Sequence, residues 1–102
     1  MVMVVVFRSR LNADAMAEYE PWAERMSALA ATMPGHISHK TFAAADGERV
    51  TIVEFDTEAH MRAWALHPDH LQAQQLGRSR FYSEFRLQVC EQLRESGQGV
   101  SI

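Results

Sequence analysis

From Val2 to Phe7 every position is apolar, so no face of this stretch is reserved for water. Short, β-branched and closed by Arg8 and Ser9, it predicts a central strand rather than a helix. The period then changes. Met16, Tyr19, Ala23, Met26, Ala30 and Met33 recur at steps of three and four, with Trp22 and Leu29 beside them. That predicts a long amphipathic helix, capped by Asn12 or Asp14 and stopped by Met33-Pro34-Gly35. Pro21 interrupts the pattern. A proline inside a helix costs about 3 kcal/mol, so a kink or a loose first turn up to Glu20 is expected. His36 to Ala45 and Glu48 to Asp56 predict two strands joined through Asp46-Gly47 as a two-residue hairpin.

At Asp56-Thr57 the strand pattern becomes helical, with Thr57 as the N-cap and Glu58 in the first turn. His60, Trp64 and His67 stand at i, i+4 and i+7 and share one face. Pro68 ends that helix and serves as the first residue of another, with His70 just inside it and a possible break at Gly77. Phe81 to Leu93 then alternates: Phe85, Leu87, Val89 and Leu93 on one face, Tyr82, Glu84, Arg86, Gln88 and Cys90 on the other. This is a long final strand. Residues 1–95 are expected to form one domain, and 96–102, with two glycines, a flexible tail.

Strand, helix, strand, strand, helix, strand is the order of the ferredoxin-like β-α-β-β-α-β class of α+β folds, a four-stranded antiparallel sheet with helices on one face. Two helices cover only one face. Yet Val2, Val4 and Val6 alternate with Met3, Val5 and Phe7, and Val50 and Ile52 oppose Val53 and Phe55. The second face is therefore expected to stack on the same face of another copy, giving a homodimeric α+β barrel. Glu54 falls on the Val50/Ile52 face of a strand expected to be buried, and is expected to pair with Arg8, Lys40 or Arg86.

Composition narrows the functional classes. With ten basic residues against thirteen acidic ones and a net charge of −3, the chain has no electrostatic case for nucleic acid or an anionic membrane as partner. No run approaches the ~20 apolar residues of a membrane span, and the N-terminal run is shorter than a signal sequence core, so a cytoplasmic location is expected. Cys90 is the only cysteine, which excludes an intrachain disulfide and a thiolate zinc cluster, and reads as a small core residue. His36 and His39 are expected on opposite faces of a strand, and His60, His67 and His70 converge only if the Pro68 bend folds one helix back on the other. No metal site is expected. Neither a G-x-S-x-G elbow nor a glycine-rich phosphate loop is present.

The order of elements, the Met33-Pro34-Gly35 helix end, the Val53-Glu54-Phe55 strand end, and Trp64 followed by His67-Pro68-Asp69-His70 resemble the antibiotic biosynthesis monooxygenases, from Val2 to about Glu95. That family includes cofactor-free oxygenases of polyketide aromatic rings, quinol-type oxygenases, haem-degrading proteins and members without established activity. The resemblance implies a pocket between sheet and helices in each subunit, lined by a tryptophan of the second helix, for which Trp64 is the matching position. The haem-degrading branch resembles the chain less. Its asparagine near the end of the first strand is replaced by Phe7 and Arg8, and its axial histidine, about ten residues beyond the tryptophan, by Gln74 and Gln75.

The candidate chemistry follows. His70 is the candidate general base, since a neutral imidazole near pH 7 can take a proton. Trp64 offers an aromatic wall, and His60, His67 and Arg86 are candidates to bind the substrate or hold its anion. The substrate expected is a small electron-rich aromatic and the co-substrate O₂, with no cofactor. Each residue also has a structural reading: Trp64 as core, His60 as a solvated first-turn residue, His67 as an N-cap. A non-catalytic binding domain with the same pocket, and a haem protein, remain as alternative functions.

Overall fold

The computed structural model describes residues 1–99. Of the expected tail, 100–102 lie outside the described residues, and 92–99 carry no helix or strand. The elements are β1 (Met3–Leu11), α1 (Met16–Ala31), β2 (His36–Ala43), β3 (Arg49–Phe55), α2 (Glu58–Ala65), α3 (Pro68–Leu76), a π-helical turn (Gly77–Phe81) and β4 (Tyr82–Glu91). The strands form one antiparallel sheet in the order β2-β3-β1-β4, the ferredoxin-like arrangement expected.

Because side chains alternate across a strand, the pairing register sorts every strand residue onto one face. The helix face carries the rows His36–Phe55–Met3–Glu91, His39–Val53–Val5–Val89, Thr41–Thr51–Phe7–Leu87 and Ala43–Arg49–Ser9–Phe85. Phe55 is fully buried there against Ala30 of α1 and Trp64 of α2, with Met26, Leu29, Met33, Val53 and Met61 packed around them. The open face carries Ser38–Glu54–Val4–Cys90, Lys40–Ile52–Val6–Gln88 and Phe42–Val50–Arg8–Arg86. It is apolar in the middle and charged at one end, where Arg8 binds Glu48 through two nitrogens and Arg10 bridges Asp46 and Glu84.

Several local expectations are corrected. α1 continues through Pro21 without a break, and neither Asn12 nor Asp14 caps it: its N-cap is Ala15, while the Asn12 amide donates to the Arg80 carbonyl. The hairpin has a three-residue loop. Ala44 N–H donates to Glu48 O, Gly47 N–H closes a turn on Ala44 O, and Gly47 takes φ +94°, the left-handed position of a bulged hairpin turn. Cys90 is exposed on the open face rather than in the core. Glu54 takes the Ser38 hydroxyl as hydrogen-bond donor and none of the three expected cations.

Two bulges change which way side chains point. Irregular pairing between His36 and Ser38 turns both His36 and His39 to the helix face, against the expectation of opposite faces. A second irregularity opposite Arg10 and Leu11 leaves Ser83 unpaired. Tyr82 therefore leaves the Glu84 face and joins Phe7, 5.2 Å between ring centres, and Phe85.

Candidate functional site

The helix break at Pro68 builds the site. Leu66 ends α2, His67 is extended, and Pro68 opens α3, so His67 and His70 both return toward Trp64. The His70 ring lies flat on the indole, 4.1 Å between centres and 11° between planes, and His67 stands 6.1 Å away, tilted. Trp64 itself is 7% exposed, so its indole serves the core and the site together.

Hydrogen bonds decide the tautomers. His70 Nδ1 is 3.0 Å from the Trp64 carbonyl oxygen, which only accepts, so Nδ1 carries the proton and Nε2 keeps a free lone pair. The Gln74 amide nitrogen, 3.4 Å from the same Nδ1, donates instead to the Ala65 carbonyl at 3.0 Å. His67 is arranged the other way. Its Nδ1 accepts the Asp69 backbone N–H at 3.1 Å, so in the neutral ring Nε2 bears the hydrogen. A free acceptor on His70 and a free donor on His67 stand beside one indole, a pair able to take a proton and hold the resulting anion.

Burial pushes the His70 pKa below the ordinary histidine value, outweighing the opposing hydrogen bond to the Trp64 carbonyl; nearby His67 lowers it further. His70 is thus neutral near pH 7. The same shift has a consequence for stability. The unfolded imidazole protonates at about 6.5, the folded one only at lower pH, so the stability present above about 6.5 is lost as pH falls through the folded value. His39, lowered by burial and then by His36, acts in the same direction. We expect denaturant midpoints to fall between pH 7 and 5, and less steeply in His70→Gln; a parallel slope in the variant would remove His70 from this account.

The remaining candidates lie apart. His60 Nδ1 is 2.7 Å from Asp56 Oδ1, over Gly35, and this hydrogen bond holds the Asp56 carboxyl below its usual range. Arg86 is in the open-face row opposite Arg8, across the sheet from Trp64, where it lines a polar groove. The fold therefore does not bring Arg86 to His70 within one chain. Among the described residues no group of three or more His, Cys, Asp or Glu side chains is placed to hold a metal ion.

Two groupings escaped the sequence reading. His36 Nε2 is 2.7 Å from His39 Nδ1, and His39 Nε2 is 2.6 Å from Ser27 Oγ, a hydrogen-bonded chain visible only once the bulge is known. Arg49, by contrast, shares a face with Val53 and Phe55 by simple alternation, so the sequence did hold its signal. Its Cζ is 5.6 Å from the Tyr19 ring, on the helix side.

The sheet order and the single helical layer, with tryptophan and two histidines grouped where α2 meets α3, define a ferredoxin-like α+β domain. The profile of the antibiotic biosynthesis monooxygenase family matches residues 1–76, and the chain belongs to that family. It is 31% identical over 87 residues to the uncharacterized protein YqjZ of Bacillus subtilis, spanning 85% of this chain and 75% of that one. Among solved structures, Rv0793 from Mycobacterium tuberculosis superposes with a TM-score of 0.84 at 17% identity, covering 95% of this chain and all of the other. A variant of SnoaB, a cofactor-independent oxygenase from Streptomyces nogalater, gives 0.79 at 18% identity over 95% and 98% of the two chains. No helix among the described residues is long and apolar enough to cross a membrane.

Proposed function

We propose that this chain is a cofactor-independent monooxygenase that oxidises a small electron-rich aromatic, anthrone- or quinol-like, with O₂. One observation carries the proposal: the opposed tautomers of His70 and His67 beside Trp64. Family membership and the likeness to a cofactor-independent oxygenase support it. In this reading His70 Nε2 takes a proton from an activated ring carbon, and His67 Nε2–H stabilises the oxyanion of the enolate formed. The carbanion then passes an electron to O₂. For an anthrone, one oxygen atom becomes the new ring carbonyl and the other leaves as water with the two methylene hydrogens. The substrate supplies the reducing electrons, so the balance needs no further reductant.

The test is oxygen uptake with anthrone as probe. Consumption of one O₂ per anthrone, unchanged by chelator and by added flavin, is expected. If no phenolic or anthrone probe is consumed while such compounds still bind, a non-catalytic binding domain replaces the enzyme.

The same reading includes a homodimer. The mid-sheet rows around Val4, Val6, Val50 and Ile52 have no helix over them, and Leu87, Val89 and Leu93 are exposed on or beyond the edge strand. A stable interface buries well over about 1,000 Å² in total. Light scattering is expected to report twice the 11.6 kDa chain mass at micromolar concentration, and a monomer would refute the assembly.

A further inference from the structure

At the end of the sheet away from Trp64, the start of α1, the β2–β3 hairpin and the bulge of β4 border an open cavity of about 460 Å³. Leu11, Ala13, Met16 and Ala43 give it apolar wall, and Arg49 reaches it from the helix face. Arg49 is six register positions from Phe55, about 20 Å along the strand, so this cavity is separate from the histidine site.

The arginines here are not equivalent. Arg8 is matched by Glu48, Arg10 by Asp46 and Glu84, and Arg80 by Asp14 and Glu18. Arg49 has no carboxylate among the described residues, and its Nε is buried without a hydrogen-bond partner. Its neighbour is the face of Tyr19, and Tyr82 stays a neutral phenol because burial raises its pKa. An unsatisfied buried donor on a cation is costly to the fold. Nε is out of reach of a ligand, but the two Nη nitrogens are neither fully buried nor hydrogen-bonded among the described residues, and they are what Arg49 offers to the cavity.

We propose that this cavity binds a small organic carboxylate, with its anion on the Arg49 guanidinium and its apolar body against Leu11, Met16 and Ala43. One unmatched positive charge suits a monoanion better than a phosphate dianion, and the planar fork of arginine fits a carboxylate through two parallel N–H bonds. Asp46 on the rim is ion-paired with Arg10, which also binds Glu84, and neither carboxylate bonds Arg49. The site stands independently of the oxygenase reading, since no residue of the His67–His70 pair takes part.

Benzoate and its neutral counterpart benzamide are the probes, with the Arg49 Nε–H resonance followed by NMR on the full chain. Benzoate should shift that resonance and benzamide should not. Arg49→Gln should weaken benzoate at least tenfold, and Arg49→Lys, which keeps charge but not the fork, should weaken it by less. Without ligand, Arg49→Gln should unfold at the same or a higher temperature, because it removes an unmatched charge. Equal benzoate affinity in wild type and Arg49→Gln would overturn the proposal. So would an Arg49 resonance unmoved at millimolar benzoate, or a Gln variant that unfolds well below wild type, which would show a group retained for the fold.

Discussion

His70→Ala is expected to lower anthrone-dependent oxygen uptake by about 10²–10⁴-fold, the usual loss when a general base is removed, with the fold intact. The imidazole is half-buried on the outside of the indole and takes no part in the Phe55–Ala30–Trp64 cluster, so its removal opens space at the surface rather than in the core. Trp64→Phe should behave differently. It shortens the surface on which His70 stacks but leaves the backbone carbonyl that fixes the His70 tautomer, so its main effect should be on substrate binding. His60→Ala should change turnover little, because that ring is committed to Asp56. Steady-state rates for these three variants and His67→Ala decide the matter. Near-normal turnover in His70→Ala with none in His67→Ala would mean that the base has been assigned to the wrong ring.

Gly35→Ala should be the most damaging substitution of a single hydrogen by a methyl group. Gly35 turns the chain from α1 into β2 at φ +81°, where an L side chain is strained. The backbone term alone is about 1–3 kcal/mol. A methyl group would also meet Asp56 Oδ1 and His60 Nδ1, the two atoms joined across the glycine. In a domain of this size each kcal/mol lowers the melting temperature by about 4–8 °C. Adding His60→Ala should recover part of the steric loss and none of the strain, which a double-mutant cycle by calorimetry would separate. A Gly35→Ala protein melting within a degree or two of wild type would refute the account.

The architecture was legible because it follows from the apolar pattern: an unbroken β-branched run for Val2 to Phe7, a period of two for Phe85 to Val89 and of 3.6 for Met16 to Met33. Pro68 marked the break in the second helical segment; at Gly77 the helix does not stop but passes into the π-helical turn. What alternation could not supply was the position of the bulges. One unpaired residue near Ile37 turns two histidines to the same side, and one at Ser83 turns Tyr82 into the aromatic cluster. Both are settled by how a strand pairs with its neighbour, across a hairpin for the first and across nearly the whole described chain for the second, and leave no local trace. The same limit applies to Asn12, a good cap by residue type whose amide is drawn to Arg80 across the chain. At the site, the approach of His67 and His70 to Trp64 followed from the Pro68 turn. Their tautomers did not, because those depend on which backbone group each nitrogen meets.

The sheet order also bears on how the molecule opens. β1 lies between β3 and β4, so Met3 pairs with Glu91 from the opposite end of the described chain, whereas β2 and β3 join through a short hairpin. Closing so long a loop carries a larger entropic penalty than closing a hairpin, and it is met late in folding. β4 also gets little cover from the helices beyond Phe81 and Tyr82: Leu87 and Val89 remain more than half exposed. The last strand to dock is then the first to leave, and in an isolated subunit its amides should exchange with solvent hydrogen sooner than those of β3. Each such departure bares one edge of β1, apolar from Met3 to Phe7, so protection of β4 by a second subunit would guard the chain against self-association as well as against unfolding.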